Sequence, residues 1–251
     1  MSILFEIDGH VAVVTINRPQ ARNAIDAATS QAVADAVATM ESDQNIRVGI
    51  ITGGGGYFCA GMDLKAFLRQ EVIRLPTGLA GLTESKLSKP LIAAVEGFAL
   101  AGGFEIAMAC DIVVASNAAQ FGLSEVKRGL VANAGGLIRL PRQIPPKIAA
   151  EIVLTGDMFP AAYLAQHGFV NRVVPPGTAL IEARDIARRI ASNGPLAIAA
   201  SKRVLAEAVD WKTSEMFHLQ RQITAPIFAS ADAQEGALAF TEKRAPNWQG
   251  R

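Results

Sequence analysis

Charge imbalance is almost missing from this sequence: 24 Lys and Arg stand against 23 Asp and Glu, a formal net charge of +1. A chain that grips nucleic-acid phosphates carries an excess of basic residues, so the balance argues against nucleic acid as a partner. Cysteine is scarce as well. Cys59 and Cys110 are the two present, neither lies in a CxxC pair, and both have apolar or glycine neighbours. That pattern argues against a disulfide framework or a zinc site and fits a reducing, cytoplasmic setting. The opening MSILFEIDGHVAVVTINRP lacks the basic segment and long apolar run of a secretory leader and reads instead as a strand. No GxxxxGKS/T, strand-GxGxxG-helix, GxSxG or HExxH pattern occurs, which removes phosphate-loop, dinucleotide-fold, serine-hydrolase and zincin readings. His10, His167 and His218 are isolated from one another, and they are read as surface or capping residues without a metal or base role.

What is present is apolar: hydrophobic residues make up 50% of 251, enough for a large core. The most apolar stretch, residues 91–110, is about the length of a membrane span. It nevertheless contains Glu96, Glu105 and three glycines, so it is read as buried strand, turn and buried helix, not as a lipid-facing segment. Carboxylates in such a run are costly to bury unless paired or used.

Short β-branched runs at residues 11–16, 48–52, 91–95 and 111–115 have the length and borders of buried strands. Between the first two, residues 26–42 place Val33, Val37 and Met40 on one helical face behind an Asp26 N-cap. Strands alternating with helices predict an α/β core. Residues 65–89 mix polarity around Pro76, Gly78 and Gly81, and read as a mobile helix-and-loop segment outside the core, suited to walling a pocket. Beyond Gly135 the pattern turns helical, at 145–154, 161–166, 180–191, 196–209 and 213–229, with Asn193-Gly194-Pro195 ending one helix and starting the next. The expected division is a core over 1–193 and a helical appendage over 194–251, docking on the core or on another copy of the chain. The four glycines Gly53 to Gly56 precede no Lys-Ser/Thr and read as a turn after a strand.

Two glycine-bearing turns follow buried strands. One is Tyr57-Phe58-Cys59-Ala60-Gly61-Met62-Asp63-Leu64, the other Glu96-Gly97-Phe98-Ala99-Leu100-Ala101-Gly102-Gly103-Phe104-Glu105. Glycine admits close backbone approach, and a helix start leaves N–H groups without intrahelical partners. Side by side, the turns either aim two N–H donors at one oxygen or simply pack strand closely on helix. Glu105 falls in the first turn of a helix over residues 102–109, where the dipole tolerates a carboxylate among apolar neighbours. Glu125 follows in the turn-rich QFGLSEV stretch. One helix and one strand return the chain to the same side of the sheet, which makes convergence of the two acids in one pocket geometrically possible.

Taken in order, NRPQARNAI, FCAGMDL, ALAGGFEIAMACD, QFGLSEVKRGL, GGLIRLPR, HGFVNRVVP and FTEKRAP run nearly the whole length of the chain. Together they resemble the crotonase, or enoyl-CoA hydratase/isomerase, superfamily. The resemblance implies a ClpP/crotonase-like α/β spiral of ββα turns, a C-terminal helical trimerisation region, and assembly as homotrimers or homohexamers. It implies that the N–H groups of Met62 and Gly102 form an oxyanion hole. It implies further that Arg22, Ala60, Asp63, Leu64, Lys65, and from the tail Phe240 and Lys243, contact the coenzyme A portion. CoA then belongs to the substrate, and no separate cofactor, metal, nucleic acid or membrane is expected. Glu105 and Glu125 occupy both catalytic glutamate positions of the hydratases, which favours water addition to a 2-enoyl-CoA. The alternatives are a Δ3-Δ2 isomerase, a carnitinyl-CoA-type dehydratase, or a non-catalytic thioester- or RNA-binding relative. Val131-Ala132-Asn133-Ala134 stands where the family often has a Pro-Gly pair before its Gly-Gly, so an atypical acyl pocket is expected.

Overall fold

Strands whose every residue is apolar must be covered on both faces, and the architecture does this for the central runs. The computed structural model describes Met1 to Arg251. Its elements begin with β1 (Ile3–Asp8), β2 (Val11–Ile16), α1 (Ala27–Ser42), β3 (Val48–Gly53) and α2 (Leu64–Leu68). A short hairpin, β4 (Arg74–Leu75) and β5 (Gly78–Leu79), leads to β6 (Leu91–Val95), β7 (Phe98–Leu100), α3 (Gly102–Ala109), β8 (Ile112–Ser116) and β9 (Gln120–Gly122). The rest is mostly helical: α4 (Gly136–Gln143), α5 (Pro146–Thr155), β10 (Phe159–Pro160), α6 (Ala161–Gln166), β11 (Arg172–Val174), α7 (Ala179–Ala191), α8 (Pro195–Glu207), α9 (Met216–Phe228) and α10 (Ala231–Glu242).

The main sheet has six strands in the order β1-β2-β3-β6-β8-β11. Only the β1–β2 pair is antiparallel. Alternation sends Val14, Ile16, Ile51, Ala93 and Val95 into the larger core, while Val13, Ile50, Ile92 and Ala94 face Ala183, Ile186 and Ala187 of α7. A second sheet, β10-β9-β7, has three strands. Residues 58–62 run beside β7: Cys59 N–H donates to Phe98 O at 3.1 Å and Leu100 N–H to Cys59 O at 2.9 Å. Met62 makes a single bridge to Ile25 on the other side.

The α1 expectation holds: Asp26 accepts from Thr29 N at 2.8 Å, and Val33, Val37 and Met40 are buried. Residues 65–89 do wall a cavity, but their exclusion from the core is corrected, because Ile73, Leu79, Ala80 and Leu82 are buried in the main cluster. Their apolar positions are scattered through hairpin and turns, so no period reveals them. The helical pattern also omits α10 and α4, in the second of which Pro141 interrupts the local signal. The tail is tied to the core where Lys202 Nζ meets Asp111 Oδ2 at 2.7 Å, and Trp248 Nε1 donates to Ser192 O at 2.8 Å. No residue of α8 or α9 is buried, and Phe217, Phe228 and Phe240 are 62%, 84% and 86% exposed. The tail's large apolar side chains are therefore left largely uncovered by this chain. No helix is long and apolar enough to cross a membrane.

Candidate active site

The second sheet positions the two glycine turns. Gly61 takes φ +94° and sits so close to the other turn that a Cβ on it would lie 2.9 Å from Gly102 N. A Cβ on Gly102 would in turn lie 3.5 Å from Met62 N. These two backbone nitrogens are thus neighbours, and neither donates a hydrogen bond within the protein. Gly102 is the first residue of α3, where an N–H has no intrahelical acceptor. Ala101, just before it, is held at φ 51°, ψ −126°, a conformation that costs a non-glycine residue roughly 1–3 kcal/mol. Its N–H is anchored on Gly122 O of β9 at 2.8 Å.

Both turns line a cavity of about 750 Å³, together with Glu105 and Glu125. Glu105, on α3, is 3% exposed. Its Oε1 accepts from Ala134 N at 2.7 Å and Gly136 N at 2.8 Å. Gly136 opens α4 after Gly135 at φ +112°, so the carboxylate of one helix sits at the start of another, where the dipole favours negative charge. Burial raises the Glu105 carboxyl above its usual range, and the two N–H groups, Arg139 and Arg74 oppose that rise. Glu125 lies in the short helical turn Ser124–Arg128. Its Oε2 is buried and has no hydrogen-bond partner. Burial pushes this carboxyl up to about 7, the charge of Glu105 adds to the rise, and Arg128 opposes it. One acid is cradled by donors that favour its ionised form, and the other is left in a setting that favours its proton. The thiol of Cys59 is pushed up to about 12 by burial, which disfavours the thiolate that a nucleophilic role requires.

A model of the enoyl-CoA hydratase/isomerase family matches residues 6–251. The chain belongs to that family. It is 44% identical to an enoyl-CoA hydratase of Mycobacterium tuberculosis over 99% of this chain and 96% of that one. It is 42% identical to a carnitinyl-CoA dehydratase of Salmonella arizonae over 97% of this chain and 96% of that one. A crystal structure of an enoyl-CoA hydratase from Mycobacterium tuberculosis, 50% identical, superposes with a TM-score of 0.98 over 100% of this chain and 99% of that chain. The crotonase fold read from the motifs is thereby established for this family member.

Of the residues that the family resemblance singles out, Met62, Gly102, Glu105, Glu125, Arg22, Ala60, Asp63, Leu64 and Lys65 all line the one cavity. Asp63 also caps α2, since Oδ1 accepts from Lys65 N at 3.0 Å and Ala66 N at 3.3 Å, and Oδ2 meets Arg18 at 3.1 Å. Its carboxylate is already engaged. Phe240 and Lys243 are not brought to this cavity. Phe240 is an exposed side chain in the last turn of α10 and Lys243 caps that helix, so any contact they make with CoA is not made in the cavity of their own chain. The motifs did not reveal the Ala134 and Gly136 donors, nor Arg139. The Gly135-Gly136 pair was the available signal, since a glycine pair before a helix permits close approach of a buried acid.

Proposed function

We propose that the protein adds water to a trans-2-enoyl-CoA, giving a 3-hydroxyacyl-CoA. The observation that carries this reading is the sharing of one cavity by two unpaired N–H donors and two differently poised carboxyls. The N–H groups of Met62 and Gly102 receive the thioester oxygen, making the β-carbon electrophilic and stabilising the enolate. Removing such a donor costs about 3 kcal/mol of barrier. Glu105, ionised in its cradle, takes a proton from water as the hydroxyl oxygen bonds to the β-carbon. Glu125, carrying a proton, delivers it to the α-carbon as the enolate collapses. The water supplies hydroxyl to one carbon, its other proton passes to Glu105, and proton exchange between the acids through solvent restores both.

Arg22, Ala60, Leu64 and Lys65 would border the CoA portion, with CoA a part of the substrate. Phe240 and Lys243 are assigned to CoA in the same reading, contributed from outside their own chain's cavity. The exposed apolar side chains of the tail support self-association into trimers or hexamers, which sedimentation would distinguish. The relatives named carnitinyl-CoA dehydratase favour one second reading, in which the same groups run water elimination on a polar 3-hydroxyacyl-CoA.

The test is to follow loss of the enoyl absorbance of crotonyl-CoA with wild type, Glu105→Gln and Glu125→Gln. A fall of about a thousandfold in kcat for each variant is expected. Product mass separates the reactions, since hydration adds a water and isomerisation does not. If wild type and both variants behave alike, the two-acid mechanism is wrong.

A further inference from the structure

Arg139 lies in α4, one turn beyond the nitrogens that hold Glu105, and is half-buried with no carboxylate in ion-pair contact. Its Nη1 donates to Ala134 O at 3.4 Å, and its Nη2 donates to Thr83 O. The guanidinium occupies the space that a side chain at 135 would fill, for a Cβ on Gly135 would collide with Nη1. It therefore covers the turn of residues 134–136, whose two N–H groups grip Glu105 Oε1. Thr83 continues the connection, since its hydroxyl accepts from Leu79 N at 2.9 Å. Leu79 lines the cavity and fills the space where a Gly102 Cβ would be. A single side chain thus joins the cradle of one acid to the wall beside an oxyanion donor.

We propose that Arg139 is a positioning residue for Glu105, clamping the 134–136 turn against the 79–83 wall and supplying positive charge beside the carboxylate. The inference rests on the reading of Glu105 as the base. Burying a guanidinium is costly unless its donors are used and an opposite charge faces it. The carbonyl oxygens of Ala134 and Thr83 use donors of this one, and the charge of Glu105, held by the turn that Arg139 covers, acts with that of Glu84 at longer range to counter the effect of burial. Other charged and titratable groups bear on the pair. Arg74 of the hairpin also favours the Glu105 anion, Glu125 interacts with it as a like charge, and the buried Cys110 thiol lies near Arg139.

Removing a cation from beside a carboxylate disfavours its charged form, so the base would lose its ionised state at a higher pH as pH falls. The experiment measures kcat, KM and the pH profile of kcat/KM on crotonyl-CoA for wild type, Arg139→Gln and Arg139→Lys, with circular dichroism to confirm folding. For Arg139→Gln, kcat should fall about a hundredfold from misplacement of the base, and the acid limb should move to higher pH. For Arg139→Lys, the acid limb should stay where wild type has it while kcat falls about tenfold, because one ammonium cannot span two carbonyls as the planar fork does. An unmoved limb in Arg139→Gln, or an Arg139→Lys enzyme equal to wild type, overturns the proposal. Should Arg139→Gln not fold, the lysine variant decides: lowered kcat with an unmoved limb supports the clamp, and wild-type kcat refutes it. A wild type that hydrates no enoyl-CoA would instead overturn the functional reading itself, together with this inference.

Discussion

The backbone N–H of Gly136 donates to Oε1 of Glu105 across 2.8 Å, and a Cβ on that glycine would stand 3.1 Å from the same oxygen. The same Cβ would lie 3.1 Å from the Ala132 methyl and 3.2 Å from Glu105 Cγ. Gly136→Ala therefore presses on the carboxylate from the side of its cradle. We expect a folded protein whose kcat on crotonyl-CoA falls about tenfold, with KM changing little, because a displaced base weakens the chemical step more than thioester binding.

The pH dependence follows from the two environments. In the proposed mechanism Glu105 must be ionised to act as base, so activity should fall as pH drops through the lower apparent pKa of the pair. Glu125, pushed up to about 7, must in that mechanism hold its proton to act as acid, so activity should fall again as pH rises through that region. A bell-shaped profile of kcat/KM is expected, with its two limbs belonging to the coupled pair and not to either residue alone. In Glu125→Gln, whose amide neither titrates nor donates a proton to carbon, the residual activity should lack the alkaline limb.

Gly61→Ala probes the proposed pair of N–H donors without touching either acid. The added Cβ would meet Gly102 N and Leu100 O at 2.9 Å, and the backbone there stands at φ +94°. Both effects displace the Met62 and Gly102 donors relative to one another. A fall in kcat of about a hundredfold or more is expected, comparable to loss of one donor. Equal kcat for Gly61→Ala and wild type would remove the two-donor assignment.

Asn23 offers a stability prediction. It is fully buried; its Oδ1 accepts from Arg18 N at 2.9 Å, and its Nδ2 donates to Gly54 O at 2.8 Å and Tyr57 O at 2.7 Å. Asn23→Ala strands a buried donor and two carbonyls at a backbone φ of 57°, and should cost about 3 kcal/mol in urea unfolding. Asn23→Asp should cost more, because a carboxylate would face the two carbonyl oxygens with no proton to offer. A midpoint unchanged in both variants would show that the 54–57 turn does not depend on this side chain.

Much of this arrangement was legible in the chain. The apolar runs of β2, β3 and β6 announced strands covered on both faces. The Asp26 cap marked the start of α1, and the motifs pointed to Met62, Gly102, Glu105 and Glu125. Less was legible wherever a residue works through shape. Leu79 and Leu82 carry no periodic signal, yet they enter the core. Pro141 masked α4 because proline at a helical position contradicts local propensity, while α4 packs against α3 and α5.

The order of the motifs carried the resemblance to the family and made Glu105 and Glu125 the candidate acids, and the apolar runs carried the α/β alternation, because burial patterns are local demands along the chain. Only the tertiary structure decided which acid is cradled and which is left unpartnered, since that difference comes from the turn that opens α4, which presents the N–H groups of Ala134 and Gly136 to Glu105 and not to Glu125. It also decided that Asp63 is occupied as a cap, that Phe240 stands outside its own chain's cavity, and that Arg139 covers the cradle. Each of these depends on distances between segments far apart in the chain, which no pattern along the chain encodes.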